Sequence, residues 1–421
     1  MPKVRRCVPE SVPRLLHYVS LDGAGGVEFQ FVDFVARARA LAGWRSDIVA
    51  CGQRTHPLIQ DRLDPSVRLR REKYAGRLKL PKWPPQLRAA CQRRYVRESR
   101  PDAVLIWNRL RDSEDTLAAA GPQRCIYWER GAAWFTGESA SKRRFLDGVQ
   151  AVLCNSHAAR RMLELRWGYQ GQLCVVPNAL RPALMPQAPA ARSGCADAPT
   201  WRLGVAARLE SIKGVALAIH ALASMRDGGI SAELHIAGDG PQRDSLMRLA
   251  KRLGVARQVT FLGLVADMAV FYSGIDLLVH AALREPFGQI VIEAAAYGVP
   301  SVVAGVDGLV EVTSDRETGD VVWPQADLAA YAALGADAEG LPPWVYHPNE
   351  DTIAAPRIVA PEILAKAIID LLADNPRYAR YSAAGIERVA TSFSFDTHVK
   401  RALTAVGRFV EGRSLTWEGA S

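Results

Sequence analysis

Between positions 284 and 293 the sequence runs Arg-Glu-Pro-Phe-Gly-Gln-Ile-Val-Ile-Glu. An apolar strand expected over 276–280 ends just before it, a short loop carries Glu285, and a helix opens near Gly288. A helix start offers unpaired N–H groups and the positive end of its dipole, which suits a phosphate. Gly288 leaves room there for a ligand to meet the backbone. Glu285 precedes the helix and Glu293 lies beyond its first turn. At about 1.5 Å of rise per residue, they stand too far apart to share one small site. One carboxylate suits the hydroxyls of a sugar and the other those of a ribose. A helix with an ordinary solvated Glu293 fits the same residues.

Two further strand-to-helix turns carry polar groups. In Ala-Ala-Arg-Leu-Glu-Ser-Ile-Lys-Gly, residues 206–214, Arg208 and Lys213 stand beside a helix start, placed to neutralise a diphosphate. Alone, they would be two solvated cations. Ile-Ala-Gly-Asp-Gly-Pro, residues 236–241, makes a close reversal, with Pro241 suited to a first helical turn. Near the N-terminus, Asp-Gly-Ala-Gly-Gly-Val-Glu (22–28) follows the first strand. It lacks the G-x-G-x-x-G spacing, and Asp47 starts the second strand rather than ending it, so a dinucleotide-dependent dehydrogenase is excluded. A simple tight turn remains the alternative there.

The elements that hold these turns alternate between strand and helix. The first half reads as strands 15–20, 47–51, 103–107, 124–129 and 151–155, with helices over 27–42 and from His157. The strands are apolar on both faces, as in a parallel sheet covered on both sides. A Pro/Ala/Gly-rich stretch follows, and the pattern restarts with strands 203–207, 233–237, 259–262, 276–280 and 301–304 and helices 215–226, 242–254 and 288–298. Two such series imply two doubly wound α/β domains with a cleft between them. The expected division is 1–180, a linker 181–200, 201–390 with a surface insertion at about 324–361, and a closing helix in 391–421 that could cross back to the first domain.

The 421 residues are 49% apolar and 23% charged, the balance of a folded globular protein. The net charge of +9 divides unevenly. Residues 1–180 hold 31 Lys and Arg against 17 Asp and Glu, and the remainder holds 22 against 27. Residues 65–100 alone hold 12 basic and 2 acidic side chains, interleaved with Tyr74, Trp83 and Tyr95. That points to a polyanion or anionic surface facing the first domain. No apolar run reaches the roughly 18 residues of a membrane span. Lys3, Arg5 and Arg6 are followed too soon by Glu10 and Arg14 for a signal peptide, so the expected location is cytoplasmic. Seven cysteines without a CxxC pair argue against disulfides or zinc. The eight histidines show no ligand spacing and no Asp-x-Asp ends a strand, so no metal or other cofactor is implied.

In order and spacing these segments resemble the retaining glycosyltransferases of family 4, which have the GT-B fold. The resemblance covers nearly the whole chain. It implies that Arg208 and Lys213 bind the diphosphate of a nucleotide-sugar donor, that Glu285 contacts the transferred sugar and that Glu293 contacts the ribose. Phe287, Gly288 and Gln289 would meet the donor phosphates at the helix start. Gly238 would bind the donor, and Leu262 within Val-Thr-Phe-Leu-Gly (259–263) would lie near the nucleobase. Gly25 and Gly26 would approach from across the cleft. Val-Val-Pro-Asn (175–178), at the domain junction, and Asn155-Ser156 also match. Where many relatives place a His, this chain has Tyr-Trp-Glu-Arg-Gly-Ala-Ala-Trp (127–134), leaving Glu129 and Arg130 as acceptor-side candidates. The pair of glycines common before a third family glutamate is Asp307-Gly308 here, ahead of Glu311.

The expected activity is sugar transfer with retention to a glycan or glycolipid of bacterial lipopolysaccharide or exopolysaccharide biosynthesis, at the cytoplasmic face of an anionic inner membrane. A nucleotide-sugar epimerase or hydrolase on the same fold is the nearest enzyme alternative. A nucleic-acid binder using the basic half is the non-enzyme alternative, but no recognisable RNA or DNA module accompanies the charge. Nucleic acid is therefore not an expected partner.

Overall fold

A computed structural model describes residues 13–415 except 111, 112, 136, 138, 139 and 339. Cys7, the basic cluster at residues 3–6 and Arg111 lie outside the described residues.

The first domain is built from β1 (Arg14–Val19), α1 (Gly26–Ala42), β2 (Arg45–Ala50), α2 (Pro57–Gln60), β3 (Arg68–Arg71), the short hairpin β4 (Tyr74–Ala75) and β5 (Leu78–Lys79), and α3 (Gln86–Ser99). It continues through β6 (Ala103–Trp107), α4 (Glu114–Ala120), β7 (Cys125–Glu129), α5 (Ala140–Gly148), β8 (Ala151–Cys154), α6 (His157–Leu165) and β9 (Gln172–Val175). Seven of its strands form one parallel sheet in the order β3-β2-β1-β6-β7-β8-β9. Every residue of β6, β7 and β8 is buried, which explains their unbroken apolar sequences.

The second domain restarts with β10 (Trp201–Ala206), α7 (Val215–Asp227), β11 (Ala232–Ala237), α8 (Arg243–Arg252), β12 (Val259–Gly263), α9 (Met268–Gly274), β13 (Leu277–His280) and α10 (Gln289–Ala296). Then come β14 (Ser301–Ala304), α11 (Leu309–Val312), β15 (Gly319–Val322), α12 (Leu328–Ala333), the antiparallel pair β16 (Val345–His347) and β17 (Thr352–Ala354), α13 (Pro361–Leu372), α14 (Asn375–Ser392) and α15 (Phe395–Val410). Its parallel sheet has the order β12-β11-β10-β13-β14-β15. The chain thus contains two Rossmann-like units, each with its turns at the C-terminal edge of its strands.

The chain crosses between the units twice, and the crossings touch, with Leu180 N donating to Phe393 O at 2.9 Å. After the second crossing, α15 returns to the first unit. Phe395, Val399, Ala402 and Val406 enter its core beside Phe34 and Trp128, and Arg37 pairs with Asp396 at 2.6 Å. The 181–200 stretch is held against the second unit, where Arg192 donates to Tyr272 O at 2.8 Å and Tyr297 O at 3.3 Å.

Residues 324–361 are not the plain surface loop that their prolines suggest. They form α12 and the β16–β17 hairpin and bury Tyr331, Val345, Ile358 and Val359 in the second core. Tyr346 instead packs into the first core, and Arg161 of α6 forms a two-pronged ion pair with Asp351, both contacts 2.8 Å. The prolines break the periodicity by which a helix or strand is read, while scattered apolar residues still find a core.

Candidate active site

The loops after β10 and β13 meet at a partly buried ion pair. Lys213 ends the turn Ser211–Lys213, and its Nζ lies 2.7 Å from Glu285 Oε2. His280, the last residue of β13, places Nε2 3.2 Å from the same oxygen. Burial pushes the Glu285 carboxyl up, but the Lys213 charge and the His280 contact outweigh it and hold the carboxyl well below the usual range. His280 is 1% exposed and its Nδ1 has no partner among the described residues.

A second carboxylate fixes the Glu285 loop. Asp307, with φ 46°, accepts from Glu285 N at 3.0 Å, Tyr346 N at 2.8 Å and Trp134 Nε1 at 2.9 Å. Burial raises its carboxyl to about 6 despite those donors. Because Trp134 belongs to the first unit, this one side chain ties the Glu285 loop, the hairpin and the opposite wall of the cleft together.

Glu293 lies elsewhere. It sits inside α10, 6% exposed, with Tyr272 OH donating to its Oε2 at 2.9 Å. Burial raises its carboxyl, opposed by Tyr272, Arg181 and Gln289. Gln289 Nε2 donates to Ala179 O at 3.1 Å, and Gln30 Nε2 donates to Gln289 Oε1 at 3.0 Å. Arg130 in turn donates to Gln30, so a polar chain runs from the first unit to the start of α10.

The two acceptor-side candidates are buried. Glu129 is fully occupied by Tyr127 OH (2.7 Å), Gly131 N (2.6 Å) and Ala133 N (3.0 Å), and shapes its own loop. Arg130, 7% exposed, stacks on Trp107 and Trp128 at 4.8 and 4.6 Å, and burial lowers it to about 9. Neither presents its charge to solvent, which corrects the expectation that they face an acceptor.

The remaining candidates line the strand edge. Arg208 is 71% exposed and pairs with Glu210 at 3.1 Å. Leu262 is exposed, whereas the Phe287 ring is buried against Phe393. Gly288 has φ 104°, and a Cβ there would come within 2.8 Å of Leu309. Gly238 has φ 131°, and its Cβ would fall 1.8 Å from Ala207 O. Both positions therefore need glycine. A Cβ at Gly26 would meet no atom within 4 Å, and Gly25 N is bonded to Glu28 Oε2 at 3.0 Å. Among the described residues no cluster of three His, Cys, Asp or Glu could hold a metal. A cavity of 720 Å³ opens beside the Glu285 loop, walled by Trp134 and Phe135 on one side and Arg208, Gln242, Arg248 and Arg284 on the other.

Sequence reasoning missed His280, Gln30, Tyr272 and Trp134. For His280 a signal existed, since a polar residue ending an apolar parallel strand stands at the edge where such folds bind ligands. The other three act through contacts that only the folded chain creates.

Fold and comparisons agree on a class. The glycosyltransferase of Rickettsia africae superposes with a TM-score of 0.73 at 14% identity, covering 95% of this chain and 99% of that one. The Anabaena protein HepE, solved with UDP and glucose, superposes with a TM-score of 0.68 at 18% identity, covering 93% and 99%. These likenesses establish the GT-B fold. Residues 24–184 match the family model Glycosyltransferase Family 4, and residues 197–337 match Glycosyl transferases group 1. The chain belongs to the family 4-like glycosyltransferases. A glycogen synthase of Mycobacterium tuberculosis is 32% identical over 220 residues, 52% of each chain. The lipopolysaccharide core biosynthesis glycosyltransferase LpsE of Rhizobium meliloti is 26% identical over 61% of this chain and 64% of its own. This chain thus spans about half to two thirds of those two curated relatives.

Proposed function

We propose that the protein transfers a sugar, with retention, from a nucleoside diphosphate sugar to a glycan or glycolipid acceptor. The carrying observation is Glu285 held ionised between Lys213 and His280 at the strand edge, one loop from Arg208. In this reading the bond from the anomeric carbon to the diphosphate oxygen breaks, and the acceptor oxygen attacks from the same face. The acceptor proton passes to the departing phosphate. Arg208 and Lys213 offset the charge that develops on the diphosphate, where fixed cations act most strongly. Glu285 orients the sugar hydroxyls, Glu293 the ribose, and Gly238 and Leu262 border the base. Gly25, Gly26, Phe287, Gly288 and Gln289 let backbone approach the phosphates. HepE was solved with UDP and glucose, which supports a uridine donor as the first to try.

The acceptor reading draws on LpsE and on the charged first domain. Trp83 is 80% and Leu78 76% exposed, set among Lys79, Lys82 and Arg88. Exposed apolar side chains among cations suit an anionic membrane surface, here the cytoplasmic face of an inner membrane, as for a lipid-linked acceptor in lipopolysaccharide biosynthesis. Among the described residues no helix is long and apolar enough to cross a membrane. The decisive experiment measures nucleoside diphosphate release from a panel of nucleotide sugars with and without lipopolysaccharide-core acceptors. Acceptor-dependent release with an α-linked product supports the reading. Equal release without acceptor identifies a hydrolase, and turnover to an isomeric nucleotide sugar identifies an epimerase.

A further inference from the structure

The 720 Å³ cavity is lined from the turn after β10, the start of α8 and Arg284, and Glu293 is not among its lining residues. The handedness of the crossovers sets this arrangement. The connections β10–α7–β11 and β11–α8–β12 step one way along the sheet, while β13–α10–β14 steps the other way. Right-handed crossovers therefore place α7 and α8 on one face and α10 on the opposite face. The packing agrees, with α7 against α8 and α13, and α10 against α14. Glu293 rides on α10, whereas Gln242, Ser245 and Arg248 reach the cavity from the start of α8. Glu293 does not line this cavity, which borders the proposed diphosphate site at Arg208.

Its chemistry is specific. Three guanidinium groups, Arg208, Arg248 and Arg284, face two carboxylates, Glu210 and Asp337. Glu210 is engaged by Arg208. The Arg248 and Arg284 side chains make no hydrogen bond or ion pair among the described residues. The Arg284 Nε is buried without a partner, and its guanidinium lies 5.7 Å from the centre of the Phe135 ring. Arg284 is only partly buried, but a buried N–H lacking an acceptor, as at its Nε, is costly unless a ligand supplies one. Phe135 is 51% exposed and offers the flat apolar face on which sugar rings rest.

Resting on the donor reading above, we infer that this cavity is an acceptor subsite for a sugar phosphate, with Arg248 and Arg284 gripping the phosphate and Phe135 supporting the ring. Such a group could arrive free in solution or as the head of a phosphoinositide-type lipid. The test saturates the protein with UDP and then titrates glucose 6-phosphate, glucose, or vesicles containing phosphatidylinositol, read by saturation-transfer NMR and co-sedimentation. Glucose 6-phosphate should bind alongside UDP, at least tenfold more tightly than glucose, and Arg248→Ala and Arg284→Met should each weaken it at least tenfold with UDP affinity unchanged. Binding to vesicles alone, lost in the same variants, supports the subsite and assigns the lipid source. Competition between glucose 6-phosphate and UDP would overturn the inference, as would equal binding of glucose or insensitivity to both substitutions. Failure of UDP itself to bind would instead count against the donor reading. Arg248 is exposed, so its variant tests the subsite even if Arg284→Met fails to fold.

Discussion

Glu311 of the second domain caps a helix of the first, accepting His157 N at 2.7 Å and, through its other oxygen, Ala158 N at 2.8 Å. Ser156 Oγ takes the next amide, Ala159 N, at 2.9 Å. The opening amides of α6 are thus satisfied partly by a residue from across the cleft. With Trp134–Asp307, Arg161–Asp351 and Gln30–Gln289, this makes four of the side-chain ties between the units besides the chain crossings.

Two of these ties titrate. Burial raises Asp307 from an ordinary 3.8 to about 6 and Glu311 from 4.5 to about 7. Each binds its proton more tightly folded than unfolded, so its stabilising contribution is complete below the ordinary value and is lost as pH rises through the folded one. Chemical denaturation between pH 5 and 8 should show stability falling by on the order of 4 kcal/mol from this source. Glu311→Gln should flatten the slope, and an unchanged slope would remove Glu311 from the account.

Arg208 and Lys213 should separate function from stability. Arg208→Ala removes an exposed side chain and should lower kcat by roughly 100-fold with Tm unchanged. Lys213→Ala should cost as much activity and also about 3 kcal/mol of stability, because it leaves the partly buried Glu285 without its cation. Steady-state kinetics beside thermal melts checks both.

Glu293→Gln and Tyr272→Phe should act on nucleotide affinity. Both should raise the Kd for UDP, Glu293→Gln by roughly tenfold, with a smaller effect on kcat. Calorimetric titration of UDP distinguishes this from a loss confined to turnover.

The hairpin tie should govern opening. Arg161 and Asp351 are 30% and 58% exposed, so Asp351→Ala should cost at most about 1 kcal/mol. It should nonetheless raise the radius of gyration of the nucleotide-free protein, measured by small-angle scattering, with UDP restoring the compact form. Identical scattering curves for variant and parent would assign the hairpin no part in domain closure.

The charged face of the first domain should bind anionic vesicles and release them as salt rises. Trp83→Ala and the triple change Arg93→Glu, Arg94→Glu and Arg97→Glu should each reduce co-sedimentation. Indifference to anionic lipid at low salt would leave a soluble acceptor.

The strand–helix alternation, the two-domain division, the turns bearing Arg208, Lys213 and Glu285, and the helix bearing Glu293 were legible because each is local, a run of apolar residues or a fixed spacing. β9 and β15, each four residues long, and the hairpin of residues 345–354 escaped because short edge elements carry too little periodicity to read. Glu129 and Arg130 were misjudged for another reason. Sequence locates them at a strand end but cannot tell whether a charge turns outward or, as with Arg130 between Trp107 and Trp128, inward onto aromatic rings. Asp307 looked like a departure from a glycine pair, and its role as the junction of three chain segments depends on contacts remote in sequence.

The return of α15 bears on how the molecule is made. Phe395, Val399, Ala402, Leu403 and Val406 belong to the first core, yet a ribosome supplies them only after the whole second domain. Until then the newly made first domain must wait with the apolar side of α1 and Trp128 uncovered. The second domain, contiguous from β10 to α14, is free to fold first. Until α15 emerges the first core is therefore one helix short, and that open face is where a chaperone would find this chain.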